Sequence, residues 1–234
     1  MGSTGTLRGV ITYSGNPQPM VLDRSKDPNC TTVGSRPRYE GWFVGGEGRT
    51  LGNVIVEIAR GPKAWKERPR SSTPSTLLIE EVGCEFVPRV FAVRAGTTLE
   101  FRNRDQTSHN VHFCGESNQV RGLDNVAHPA GAPNLSRKLG LPEESPVYFK
   151  CDIHPWMTAY GRVLDHDDFA VTAKDGAFEF KNLPPGRYVV QAWHEHFSDP
   201  VRRTVEVKSG ESTVISATGF PFGGEAPGDR PRPK

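Results

Sequence analysis

Apolar and polar residues alternate in short stretches along most of this chain. A two-residue period of this kind buries one face of a strand and leaves the other to solvent. In LRGVITY (7–13), Val10 and Thr12 point one way and Ile11 and Tyr13 the other; Ser14-Gly15-Asn16-Pro17 then ends the run as a turn. A second strand is predicted over 53–59, and others over 77–82, 85–93, 97–103, 147–150 and 159–165. Shorter strands follow over 169–172, 177–181, 187–194, 203–207 and 212–217, with Lys174-Asp175-Gly176 and Pro184-Pro185-Gly186 as turns between them. Residues 22–50 read as an irregular excursion, 61–75 as a solvated connector, 114–144 as a long loop and 219–234 as a flexible tail. No heptads and no repeat of about 20–50 residues interrupt this pattern.

Composition agrees with an all-β chain. Gly (25) and Pro (20) approach one residue in five of 234, which suits strands joined by turns rather than a helical bundle. The length suits one or two domains and buries a core without help from disulfides. Lys+Arg (29) against Asp+Glu (27) leaves a net charge of +2, so no field points to nucleic acid or to an anionic membrane. No window reaches the ~18–20 apolar residues of a membrane span. The first five residues carry neither the charged nor the apolar part of an export signal and read as the start of a mature or trimmed chain, so compartment has to follow from chemistry.

The chemistry concentrates in Cys151-Asp-Ile-His154-Pro-Trp-Met157, which follows the strand VYFK and precedes AYGRVL. One tight loop offers a thiolate, an imidazole and a thioether. Upstream, Asn103-Arg-Asp-Gln-Thr-Ser-His109-Asn110 closes another strand with a second imidazole. Two His and one Cys in a plane with a weak axial Met are the donors of a type 1 copper site. Taken singly, Cys151 reads as a buried thiol and Met157 as a core residue; it is their grouping with His109 and His154 that points to a metal. Zinc is the nearest rival, but Met is a poor zinc ligand, no second Cys lies in the loop, and Asp152 should point away from its neighbour's metal. No G-x-S-x-G or H-E-x-x-H is present. The one His-x-His pair, His194 and His196, has no Cys nearby, unlike the multicopper oxidases, and these absences favour electron transfer over catalysis.

Residues 76–165 resemble a cupredoxin, on the C-x₂-H-P-aromatic-M loop and the NxDxxxHN segment. The ligand loop is similar to that of amicyanin. The resemblance implies one type 1 copper held by His109, Cys151, His154 and Met157, in a Greek-key β-sandwich. It also implies that the backbone N–H of Asn110 meets the Cys151 sulfur while its side chain ties the two ligand loops. His154 would be the solvent-near exit for the electron, with Pro155 and Trp156 beside it as an apolar docking patch for a redox protein partner. The flanking runs GVITYSGNP with LGNVIVEI, and FAVTAKDGAFEFKNLPPGRYVVQAW, resemble the two halves of a carboxypeptidase-regulatory-like (transthyretin-type) sandwich. The expected organisation is therefore a split domain of 5–60 plus 166–218, with the copper domain 76–165 inserted. The competing topology is sequential, with 5–60 supplying the first cupredoxin strands.

The other candidates carry plainer expectations. His112 should face away from the metal and serve packing or hydrogen bonding. His166, His194 and His196 are candidates for a second metal site but read better as exposed polar strand ends, and His128 gives no signal. With Cys151 assigned to metal, Cys30, Cys84 and Cys114 remain, and a Cys30–Cys84 bridge is favoured; together with copper it would imply the periplasm or another exported setting. The expected function is non-enzymatic passage of single electrons. The alternatives are copper delivery without a redox partner, or an adhesion or carbohydrate-binding sandwich with structural copper.

Overall fold

The computed structural model describes residues 3–15, 24, 27–31, 43–45, 49–70, 73, 75–114, 125–139, 146–197, 199–215 and 220–222. In chain order these form β1 (Gly5–Val10), β2 (Thr12–Tyr13), α1 (Pro28–Thr31), β3 (Phe43–Gly45), β4 (Thr50–Gly52), β5 (Ile55–Arg60) and α2 (Lys63–Lys66). Next come β6 (Thr76–Glu81), β7 (Phe86–Val87), β8 (Val90–Arg94), β9 (Thr98–Asn103), β10 (His109–Cys114), β11 (Asn125–His128), β12 (Leu135–Lys138), β13 (Val147–Lys150) and β14 (Thr158–Leu164). The chain continues through β15 (Phe169–Val171), β16 (Ala177–Leu183), β17 (Gly186–Trp193), β18 (Val201–Val207), β19 (Ser212–Ile215) and β20 (Pro221–Phe222). The chain is all-β, as its alternating pattern predicts. Most of the expected excursion at 22–50, and the tail past residue 222, lie outside the described residues. The start of the tail expected as flexible over 219–234 is instead ordered, with β20 paired to β2 and Phe220 and Phe222 buried in a core, because two large aromatics there have apolar area to bury. The stretch expected as a loop at 114–144 is not all loop: it contributes β11 and β12. Their four-residue spans alternate too briefly to stand out beside so many Gly, Asn and Pro residues.

The chain forms two compact units, each with its own core. One draws on Met1–Pro19, Tyr39–Ser71 and Asp168–Arg230, the other on Met20–Arg38 and Ser72–Asp167. In the first unit β1 lies between β16 and β19, and β5 pairs with β15 and β17, which continues into β18. Its core joins Leu7, Ile11, Tyr13, Val56, Phe180 and Tyr188. The Tyr188 hydroxyl donates to the Pro184 carbonyl at 2.6 Å, which ties the Pro-Pro-Gly turn to the strand that follows it.

The second unit is a sandwich of a five-stranded sheet, β11-β10-β13-β14-β8, and a four-stranded sheet, β12-β9-β6-β7. Both sheets turn alternate side chains into one core. Phe149 of β13 is fully buried there, with ring centroids of Phe86, Phe101 and Phe113 at 4.9, 5.2 and 5.1 Å. Gly161 of β14 pairs with Phe91 of β8, and any Cβ on it would sit 2.2 Å from the Phe91 ring; glycine is what lets that ring cross the sheet. Cys151 and Met157 close one end of this core, and that end carries the site.

Candidate metal centre

Three connections and a short segment meet at this end of the sandwich. The turn from β9 to β10 is shaped by Asn103. Its side-chain N–H groups donate to the carbonyls of Thr107 and His128, at 2.9 and 2.8 Å, and its Oδ1 accepts from the Asp105 N–H at 2.9 Å. His109 begins β10 just beyond and is fully buried. The loop from β13 to β14 folds onto itself: the Cys151 N–H donates to the Met157 carbonyl at 2.9 Å, and the Met157 N–H to the His154 carbonyl at 2.8 Å. Cys151, His154 and Met157 are therefore presented from one closed turn, with exposures of 0, 2 and 0%.

His109 Nδ1 lies 3.0 Å from His154 Nδ1, and Cys151 Sγ lies 3.7 Å from that same nitrogen. The ligand atoms of these three residues all fall within 4.8 Å of one another. Met157 is in the same buried cluster as Cys151. The outer nitrogens of both imidazoles are engaged by carboxylates. His109 Nε2 is 2.9 Å from Asp105 Oδ2, and His154 Nε2 is 3.1 Å from Asp27 Oδ2. The two Nδ1 atoms are thereby left facing inward beside the thiol. This soft–intermediate donor set fits copper by its chemistry.

The proton inventory follows from these contacts. Burial works against a charged His109, but hydrogen bonds with Asp105 and Cys151 outweigh it and raise its pKa to about 9. Burial lowers the His154 pKa, and the charge on His109 lowers it further. Two ring nitrogens at 3.0 Å need one donor. The raised pKa of His109 and the lowered pKa of His154 favour one assignment without metal: His109 would donate from Nδ1 to His154 Nδ1, and His154 from Nε2 to Asp27. Burial raises the Asp105 carboxyl, but bonds from His109 and from the Cys84 and Gly83 N–H groups hold it below its ordinary value. Asp27 is held down to about 2, chiefly by the Thr107 hydroxyl.

Asn110 ties the two connections together. Its Oδ1 accepts from the Asp152 N–H at 2.8 Å and faces Cys151 Sγ at 3.3 Å. The side chain thus ties the two ligand loops and touches the sulfur. Asp152 turns outward, as expected, to His112 Nδ1 at 2.8 Å, Asn125 Nδ2 at 2.9 Å and Lys150 Nζ at 3.0 Å. His112 is a hydrogen-bonding residue on the outer side of that loop.

The Cys30–Cys84 disulfide is formed, and it lies beside the two imidazoles. Cys84 sits in the hairpin turn between β6 and β7, with φ of 62° at Gly83 and 57° at Cys84. Positive φ at both central positions is costly for a residue with a Cβ, and the two N–H bonds to Asp105 offset that cost. Cys114 is buried, its thiol 3.5 Å from the His112 carbonyl.

Two expectations change. His154 is not solvent-near: residues 24–31 belong to this unit, and Asp27 covers its outer nitrogen. His128, which carried no signal, pairs across strands with His109, and its Nδ1 is 3.0 Å from Glu81 Oε1, with both side chains fully buried. Burial pushes the Glu81 carboxyl up, against the hydrogen bond of His128. Nothing in the sequence announces this pair, since 47 residues separate its members. Asp105 could have been found, four residues before His109 in the quoted segment. Asp27 could not, because the fold alone brings it to His154. Among the described residues, no group of three metal-ligating side chains includes His166, His194 or His196; His166 and His194 are buried rather than exposed strand ends, and the rings of His194 and His196 lie 5.4 Å apart.

No protein-family model matches the sequence, and no curated protein does. Among solved structures, the chain is similar to a reduced, Cu(I) form of an amicyanin variant at 20% identity, covering 47% of this chain and 98% of that one, with a TM-score of 0.32. Amicyanin from Paracoccus versutus (Thiobacillus versutus) is 16% identical over 47% of this chain and 97% of its own, with a TM-score of 0.32. A Cu-containing nitrite reductase from Thermus scotoductus SA-01 is 24% identical over 46% of this chain and 25% of its own, with a TM-score of 0.30.

Proposed function

We propose that this chain is an exported mononuclear type 1 copper protein that passes single electrons between redox partners. The observation that supports this most is the meeting of the His109, His154 and Cys151 donor atoms in one buried cluster whose imidazoles are already oriented by carboxylates. His109, Cys151 and His154 would hold the ion, and Met157 would add a second sulfur donor. Copper bound by such donors supplies a one-electron couple between Cu(I) and Cu(II). The residues themselves do the rest. Asn110 and the closed loop fix the sulfur, the carboxylates fix the imidazoles, and the aromatic core behind keeps water out, so little needs to move when the charge changes.

The docking face belongs to this reading. Pro155 is exposed and Ile153 is 53% exposed, while Trp156 is half-buried, with its ring 5.2 Å from His154 and its N–H held by the Cys84 carbonyl at 3.1 Å. A small apolar group of this kind suits a weak, transient redox partner. The disulfide supports an exported setting. No helix among the described residues is long and apolar enough to cross a membrane. The organisation we favour keeps 76–165 as the cupredoxin domain, inserted in sequence between 5–60 and 166–218, which form a split carboxypeptidase-regulatory-like sandwich.

The test is voltammetry of the copper-loaded chain. A reversible one-electron wave supports electron passage. Irreversible behaviour, with copper lost readily to an acceptor, would favour delivery instead.

A further inference from the structure

Asp27, in segment 24–31, hydrogen-bonds a proposed copper ligand, and both of its oxygens are committed. Oδ1 accepts from the Asn29 N–H at 2.8 Å and from the Asn29 side chain at 3.1 Å. Asp27 stands just before Pro28, the first residue of α1, which is a favoured arrangement for starting a helical turn. With Oδ1 held by that turn, Oδ2 is aimed at the site. It accepts from Thr107 Oγ1 at 2.7 Å and meets His154 Nε2 at 3.1 Å. The segment is fastened at both ends. Cys30 is bridged to Cys84, and Arg24 bonds the Glu85 carboxylate and, at 3.0 Å, the Gly83 carbonyl. Elements far apart in sequence thus combine to hold one carboxylate oxygen against one imidazole nitrogen. That is more construction than a surface turn needs.

We infer that Asp27 is a positioning residue for the metal ligand His154, carried on a disulfide-fastened strap that covers the outer edge of its ring. The inference rests on the copper reading above and deepens it. Asp27 keeps the proton of neutral His154 on Nε2, so the Nδ1 lone pair faces His109 and Cys151 before any metal arrives. A carboxylate on the far nitrogen also makes an imidazole a stronger donor, and losing such a partner typically costs about 10–100-fold in metal affinity. A stronger donor favours the higher charge of Cu(II) over Cu(I).

Two measurements test this. In the metal-free chain, nitrogen-resolved NMR should show His154 protonated at Nε2 with slow exchange, and Asp27→Ala should speed that exchange and mix the tautomers. In the copper-loaded chain, Asp27→Asn keeps an oxygen for the hydrogen bond but removes the charge. It should lower the Cu(II)-to-Cu(I) affinity ratio about tenfold, which is a rise of about 59 mV in potential for one electron. Thr107→Val, which loosens Asp27 without removing it, should shift the potential the same way by less. A merely structural strap would lower stability but leave both the tautomer and the potential where they are, and that result would overturn the inference. If wild type forms no copper–thiolate centre, the copper reading fails, and the metal-free measurement still decides whether Asp27 sets the His154 tautomer.

Discussion

His109 and His154 meet nitrogen to nitrogen, and the proton between them makes the metal-free chain sensitive to pH. The folded pKa of His109, about 9, lies above its ordinary value of 6.5. A group raised in this way stabilises the fold fully below pH 6.5 and loses that contribution as pH climbs through 9, up to roughly 3 kcal/mol by linkage. Denaturant melts of the metal-free chain should therefore weaken over that window, and less steeply in His109→Gln. Asp27 acts at the other end. Its pKa, held to about 2, gives stability that is present above the ordinary carboxylate range and lost as pH falls through 2. Met157→Gln should keep the copper while lowering the potential, because a harder oxygen donor favours Cu(II); voltammetry reads this directly, and an unchanged potential would remove Met157 from the ligand set. Of these residues, the candidate donors Cys151, His154 and Met157 were legible because sulfur and imidazole at short fixed spacing have few other uses, and His109 because it closes an upstream strand with an imidazole. Asp27 and the Glu81–His128 pair were not, because long-range packing alone brings them into place.

At the scale of elements, the site depends on turns more than on strands. The β6–β7 hairpin turn places Cys84, Asp105 braces it, and the disulfide brings α1 against it. The bridge spans 54 residues, so in the chain-entropy view its loss costs about 4 kcal/mol. Cys30→Ser with Cys84→Ser should destabilise the second unit by about that much in chemical denaturation, while the donors His109, Cys151 and Met157 keep their places. The bridge itself was favoured from sequence because Cys30 and Cys84 both sit at polar turns beside strands, but with three cysteines left parity alone does not choose the pair. That it fastens a strap over His154 was not readable, since the residues on either side of α1 carry no periodicity. The strands were readable where alternation stood clear of turn residues, as in β9 and β17; β11 and β12 were missed because their short runs lie among Gly, Asn and Pro.

At the scale of the molecule, two cores imply two cooperative events. A ligand that binds only the folded form of one unit raises the stability of that unit. Calorimetry should accordingly resolve two transitions, with copper raising one and leaving the other near its metal-free temperature. Phe149→Ala should lower the copper-sensitive transition, because removing a buried aromatic at the centre of that core costs about 3–5 kcal/mol. The all-β class was legible from Gly and Pro content and from alternation together. The inclusion of residues 24–31 in the second unit was not, because a segment with few apolar residues gives no sign of which core it joins. The central claim is the copper–thiolate centre, and the visible absorption spectrum of the chain on titration with Cu(II) tests it most directly. One equivalent should produce an intense sulfur-to-copper band that is absent in Cys151→Ala while the far-ultraviolet circular dichroism of that variant stays unchanged. A colourless wild type, or a band that survives the loss of Cys151, would contradict it.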